Sequence, residues 1–69
     1  MVLTVAKLNV QLKIVKVGGY ADLLKRFGLS ETAFCSLIYK RKNLFVLRGS
    51  GGRVAIEKRV ANEIEVEYV

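Results

Sequence analysis

The spacing of apolar residues changes twice along the chain, and this change limits the possible folds more than any other feature of the sequence. Within residues 2–17, the apolar residues from Leu8 to Ile14 alternate with polar ones. A period of two with β-branched residues predicts a half-buried β-strand. The alternation slips at Val5-Ala6 and again at Ile14-Val15, and each slip predicts a bulge or a break in that strand.

The period then becomes helical. Tyr20, Leu23, Leu24 and Phe27 follow the spacing of one helical face. Gly28 lies where a left-handed residue ends a helix, and Ser30 is placed to cap the next one. The apolar residues Ala33, Phe34, Leu37 and Ile38 predict a second amphipathic helix, which ends at the cationic run Lys40-Arg41-Lys42. Residues 20–42 therefore predict two short helices joined by a tight turn.

After residue 43 the period returns to two. Two β-rich runs flank the four-residue turn Gly49–Gly52, so residues 44–58 predict a β-hairpin. Residues 62–69 alternate between apolar residues and glutamates and predict a final strand. Because an unpaired apolar edge is a liability, we expect this strand to pair with a second subunit. The predicted fold is a single α+β domain, residues 1–69, with the order β-α-α-β-β-β.

Composition excludes most chemistry. The 69 residues contain no histidine and only one cysteine, Cys35, so they cannot supply the usual ligands of a zinc site. Cys35 as a nucleophile would lack a histidine base, and no pair of carboxylates is placed for acid–base work. We expect no enzyme activity, no cofactor, no metal and no small-molecule ligand. Lysines interrupt the one long apolar stretch, so we expect neither a membrane span nor a secretory signal, and a cytoplasmic protein.

Charge indicates the partner. The chain carries twelve Lys and Arg against six Asp and Glu, a net charge of +6. Residues 1–59 carry net +9 and residues 60–69 carry net −3, so the basic character belongs to the helix pair and the hairpin. A polyanion is the first partner to consider. Thr32, Ser36 and Tyr39 also follow helical spacing and form a polar stripe able to enter a major groove.

The segment Tyr20–Tyr39, followed by Lys40–Arg59 (KRKNLFVLRGSGGRVAIEKR), resembles winged helix-turn-helix proteins and the Cro-type repressors of phages. The resemblance covers residues 20–60. It implies sequence-selective binding of duplex DNA by a homodimer associated with the nucleoid, with control of transcription as the outcome. The implied roles are base or phosphate contacts for Thr32, Ser36 and Tyr39, phosphate neutralisation for Lys40, Arg41 and Lys42, and backbone contacts for Arg48 and Arg53.

Three alternatives remain open. A ribbon-helix-helix dimer would read DNA with the polar side of the first strand, namely Lys7, Asn9, Gln11 and Lys13. A basic helix pair with a hairpin is also similar to the RNA-binding module shared by a ribosomal small-subunit protein and pseudouridine synthases. The third alternative is a protein-interaction module, such as a phage or viral inhibitor of a host complex, whose apolar strands pair with a partner.

Overall fold

Five antiparallel strands form one sheet in the computed structural model, which describes all residues from Met1 to Val69. The strands are β1 (Gln11–Lys16), β2 (Phe34–Arg41), β3 (Leu44–Gly49), β4 (Gly52–Glu57) and β5 (Glu65–Tyr68). They lie in the order β4-β3-β2-β1-β5. The sheet is thus a four-strand meander whose last strand returns to the free edge of β1.

Helical structure is confined to short segments. One helix, α1 (Ala21–Lys25), lies in the long connection from β1 to β2, and a single turn, α2 (Lys58–Ala61), joins β4 to β5. Residues 3–5 and 18–20 form 3-10 turns. No helix in the structure has the length and apolar character needed to cross a bilayer.

The core lies on one side of the sheet, where alternate residues of each strand point inward. Segments outside the strands close this layer, and α2 contributes Val60 and Ala61 to it. No polar or charged residue is buried. The buried strand residues are Leu12, Ile14, Cys35, Leu37, Phe45, Leu47, Ile56 and Val66, and the other buried residues are Leu3, Ala6, Val17, Leu24, Leu29, Val60, Ala61 and Ile64.

The predicted turn after the first helix is present. Gly28 has a φ of 73°, and the amides of Gly28 and Leu29 donate to the carbonyls of Lys25 (3.1 Å) and Leu24 (3.1 Å). These two bonds are the pair that closes a helix C-terminus around a left-handed residue. Leu24 and Leu29 are both fully buried, so the same turn also anchors the long connection in the core.

The predicted second helix is wrong, and with it the helix-turn-helix over residues 20–42 and the fold order β-α-α-β-β-β. Residues 34–41 form β2, a central strand of the sheet. Cys35 and Leu37 are buried while Phe34 is exposed, which is the alternation of a strand. Thr32 has a φ of 70°, a conformation that a helix cannot contain. Ser30 therefore caps no helix, and the resemblance to winged helices does not extend to the fold.

The predicted N-terminal strand is too long. Only Gln11–Lys16 is extended within the sheet, because residues 3–5 turn and Asn9 adopts a φ of 61°. The predicted irregularity at Ile14-Val15 is present as a register shift against β5 between Ile14 and Lys16. The break at Val5-Ala6 coincides with the end of the first 3-10 turn.

The hairpin over residues 44–58 is present as β3 and β4, with Gly49 paired to Gly52 across the turn Ser50-Gly51. The final strand, β5, pairs with β1 of the same chain. Met1 donates its amino group to the carbonyl of Val66 (2.9 Å) and accepts from the Val66 amide (2.8 Å). β1 thus occupies one edge of β5, and Met1 bonds to the backbone of Val66, the second residue of β5. The homodimer through this strand stays a prediction.

The tip of the hairpin contacts the β1–β2 connection. The Gly51 amide donates to the Phe27 carbonyl (3.2 Å). A β-carbon on Gly51 would lie 2.7 Å from the carbonyl carbon of Phe27, and one on Gly49 would lie 2.7 Å from the Phe27 oxygen. Only glycine permits this approach of two backbones, so the glycine turn docks the hairpin tip onto the connection.

Candidate binding surface

The side of the sheet opposite the core is solvent-accessible and carries an unusual mixture of side chains. We call it the outer face. Its members alternate with the buried residues of β1 to β4, and the strand register aligns them into rows. The outer face consists of Gln11, Lys13, Phe34, Ser36, Tyr39, Arg41, Leu44, Val46, Arg48, Arg53, Ala55 and Glu57.

A polar row crosses the outer face from β1 to β4. Gln11 is the register partner of Ser36, Ser36 of Arg48, and Arg48 of Arg53. Directly opposed residues in an antiparallel pair have β-carbons roughly 5 Å apart. The two arginines therefore lie side by side at one end of the row, next to the hydroxyl of Ser36.

Apolar side chains lie on both sides of this polar row, with Lys13, Arg41 and Glu57 among them. Phe34, Tyr39 and Leu44 are 51%, 41% and 43% exposed. Tyr39 is the register partner of Val46, and Val46 is the partner of Ala55, so these residues form a second row. Exposed apolar residues scattered singly need no explanation, but a cluster on one sheet face marks an interaction site.

The three arginines of the outer face form no salt bridge within the chain. The one salt bridge in the structure joins Arg59 to Glu57 (3.3 Å). No carboxylate thus lies within ion-pair distance of Arg41, Arg48 or Arg53. Glu57 forms its salt bridge with Arg59 and is the register partner of Leu44. At the other side of the sheet, Glu67 and Glu65 of β5 are the register partners of Lys13 and Lys16, so opposite charges face each other where β1 meets β5.

The predicted site residues are only partly brought together. Ser36, Tyr39, Arg41, Arg48 and Arg53 share the outer face, although on strands rather than on a recognition helix. Thr32, Lys40 and Lys42 lie elsewhere: Thr32 precedes β2, Lys42 lies in the β2–β3 turn, and Lys40 is tied to the N-terminal segment.

Lys40 illustrates the difference. Its register partner is Phe45, a core residue, so its side chain leaves the sheet at the rim of the inner side. The Lys40 Nζ donates to the carbonyl of Ala6 (2.8 Å) and also contacts that of Thr4 (3.5 Å). A cation that satisfies two backbone carbonyls has a structural role, so the sequence-based assignment of Lys40 to phosphate neutralisation loses its support.

Several outer-face residues were absent from the predicted site. The sequence analysis assigns Phe34 to the apolar face of the second helix, and Leu44 and Val46 to the first run of the hairpin. In a strand, Phe34 shares a face with the polar Ser36 while Cys35 and Leu37 share the other face, and this was the one available signal that Phe34 lies outside. Gln11 and Lys13 had been considered only as readers of a ribbon-helix-helix dimer.

Cys35 lies behind the outer face, within the core. Burial raises the pKa of its thiol to about 11, so the thiol is protonated at neutral pH and is a poor nucleophile. No group of three or more His, Cys, Asp or Glu side chains is placed to hold a metal ion. The surface therefore offers binding groups, namely guanidinium donors, a hydroxyl, an amide and apolar side chains.

Comparison of the chain with family models, curated proteins and solved structures found no match. Nothing in these comparisons identifies a winged-helix or Cro-type family.

Proposed function

We propose that this protein is a protein-interaction module that binds an apolar, acidic surface of a partner protein with the outer face of its sheet. The observation that carries the proposal is the combination of exposed Phe34, Tyr39 and Leu44 with arginines that have no internal counter-ion. Aromatic residues and arginine are enriched in protein interfaces. Apolar contact supplies affinity, and the unpaired cations select an acidic partner.

The aliphatic content of the outer face favours a protein over a nucleic acid. Val46 and Ala55 continue the row of Tyr39 across β3 and β4, and Leu44 lies in the next row, between Arg41 and Glu57. Bases stack on aromatic rings and guanidinium planes, and a ridge of aliphatic side chains offers them little. Such a ridge packs well against aliphatic and aromatic side chains of another protein.

Binding of nucleic acid, duplex DNA or a single strand, is the second candidate. Phe34 precedes Ser36 by two residues on β2, so it lies beside the row that holds Ser36, Arg48 and Arg53. An aromatic ring beside cations is the pattern of a stacking platform on a phosphate-binding groove. With four outer-face cations, the slope of log affinity against log salt would be about −3 to −4. The groove-reading recognition helix is absent, so transcription control and a nucleoid location have no structural argument left.

A cross-linking experiment tests the primary proposal. A photoreactive phenylalanine analogue at Tyr39 reports on the outer face, and the same analogue at Leu23 is the matched control. Leu23 is 47% exposed and lies on α1, away from the sheet. A protein cross-linked only from Tyr39 is identified, purified and titrated against the native chain by calorimetry.

Affinity for the purified partner decides the outcome. Leu44→Ser removes an outer-face side chain and is expected to weaken binding by about tenfold or more, while Leu23→Ser leaves the affinity unchanged. Both variants are surface changes and keep the melting temperature. Equal losses with both variants, cross-links from Leu23 alone, or cross-links from Tyr39 to nucleic acid rather than protein would contradict the proposal.

A further inference from the structure

Two arginines oppose one another directly on the outer face. Arg48 and Arg53 are register partners in β3 and β4, and neither lies within ion-pair distance of a carboxylate. Like charges directly opposite in an antiparallel pair are destabilising. Such a local conflict is expected where a protein gives up stability for a function.

Further hydrogen-bond donors lie beside this pair. Ser36 is the register partner of Arg48, and Gln11 is the partner of Ser36. Gln11, Ser36 and Arg48 line a shallow depression of about 290 Å³ together with Phe34, Cys35 and Gly49, and Arg53 lies next to it as the register partner of Arg48. Guanidinium, hydroxyl and amide groups all donate hydrogen bonds, and the Phe34 ring supplies an apolar wall.

We propose that the Arg48–Arg53 pair binds a carboxylate of an Asp or Glu side chain in the partner, with the adjacent apolar side chain of the partner packed on Phe34. This inference rests on the proposed function and names the chemistry that the outer face selects. Guanidinium groups match a carboxylate with two parallel hydrogen bonds. A bound carboxylate also removes the repulsion between the arginines, so the conflict in the free protein becomes a source of specificity.

The same geometry distinguishes an acidic ligand from a neutral apolar ligand. An apolar peptide without carboxylates would still contact Phe34, but it would leave two desolvated cations unpaired, and an unpaired buried charge is costly. The site therefore discriminates against neutral peptides as well as favouring acidic ones.

The test is an NMR titration of the isotope-labelled protein with a short blocked peptide in which Glu alternates with Leu and Phe. The comparison ligands are the same peptide with Gln in place of Glu and a thymidine oligonucleotide of similar length. The protein variants are Arg48→Gln and Arg53→Gln, and Arg26→Gln is the control. Arg26 is exposed at the end of α1 and carries the same charge change off the outer face.

We expect the acidic peptide to shift the amide signals of Ser36, Arg48 and Arg53. Each outer-face arginine variant should weaken its binding by about fivefold or more, and Arg26→Gln by less than about twofold, which is the effect of net charge alone. The Gln peptide should bind the native protein about as weakly as the acidic peptide binds a variant that carries both Arg48→Gln and Arg53→Gln.

Thermal unfolding supplies an independent readout. Since the two cations repel each other, Arg53→Gln should leave the melting temperature unchanged or raise it, whereas a structural arginine would lower it. Loss of binding without loss of stability is the signature of a ligand-binding residue.

Two results would overturn the inference. One is peptide binding that is absent at millimolar concentration or unaffected by Arg48→Gln and Arg53→Gln. The other is tighter binding of the oligonucleotide with loss in the same variants, which would assign the pair to phosphate. If the arginine variants bind normally while Leu44→Ser still loses the cross-linked partner, the proposed function survives and only the carboxylate site fails.

Discussion

The docking of the hairpin tip gives the sharpest stability prediction. Gly51→Ala would place a β-carbon 2.7 Å from the carbonyl carbon and 2.9 Å from the α-carbon of Phe27. Both atoms are backbone, so they cannot swing away, and the two segments have to separate. Overpacking of this kind costs about 1–3 kcal/mol, and the Gly51–Phe27 hydrogen bond contributes about 0.5–1.5 kcal/mol more if it is lost.

Replacing glycine by alanine also restricts the unfolded chain, which returns about 0.4–1 kcal/mol. The expected net loss is about 1–3 kcal/mol, and each kcal/mol lowers the melting temperature of a domain this small by about 4–8 °C. Urea denaturation and calorimetry measure both quantities. The control is Gly19→Ala, whose β-carbon would meet only the flexible carboxylate of Glu63, at 3.4 Å.

Gly19→Ala should change stability by no more than about 0.5–1 kcal/mol. Equal stability of Gly51→Ala and the native protein would refute the close approach of the hairpin tip to the connection. An equal loss in both variants would show that the cost comes from glycine replacement in general.

Three further predictions concern single side chains. Lys40→Met should cost about 1 kcal/mol in denaturant, because the bond to the Ala6 carbonyl is lost, while Lys42→Met stays within about 0.5 kcal/mol. Stability should fall between about pH 9 and 11. The unfolded Cys35 thiol, with a pKa near 9.0, loses its proton before the folded thiol, with a pKa of about 11. A Cys35→Val variant should lack this fall in stability, and identical pH profiles of the two proteins would contradict the prediction. Glu63→Ala should cost about 0.5–1.5 kcal/mol, because the Gly19 amide loses its acceptor (2.9 Å), and Glu63→Gln should restore most of it.

Sequence patterns predicted the elements that local chemistry determines. The glycine turn and its alternating flanks gave β3 and β4, and the hairpin register then opposes Arg48 to Arg53. Gly28 was expected to be left-handed from the apolar spacing before it, and its φ of 73° agrees. In each case a few neighbouring residues carry the signal, because turns and helix ends depend on local backbone preferences.

The predicted second helix is wrong because its segment fits both the period of a helix and the period of a strand. Ala33, Phe34, Leu37 and Ile38 match a helical face, yet Cys35 and Leu37 also alternate with Phe34 and Ser36. Over so few residues the pattern cannot separate the two. Tertiary pairing decided the outcome, because β2 lies between β1 and β3 and its β-branched and aromatic residues suit a pleated surface. Assigning Phe34 to a helix then hid the apolar part of the outer face.

No local pattern in the sequence predicts that β1 pairs with β5. The two strands are separated along the chain by the other three, and they meet through buried Ile14 opposite Val66 and through Lys13 and Lys16 opposite glutamates of β5. A sequence window shows that residues 62–69 are strand-like, and it does not show which partner they choose. The prediction that this strand pairs with a second subunit rested only on the general rule that an unpaired strand edge is a liability.

The strand order also sets a sequence of events in folding. β2, β3 and β4 are joined by tight turns, so their pairing closes only short loops and costs little chain entropy. Joining β5 to β1 closes nearly the whole chain, and such distant contacts slow the approach to the native state. Destabilising substitutions in β2, β3 and β4 should therefore slow refolding, whereas those where β5 pairs with β1 should chiefly speed unfolding.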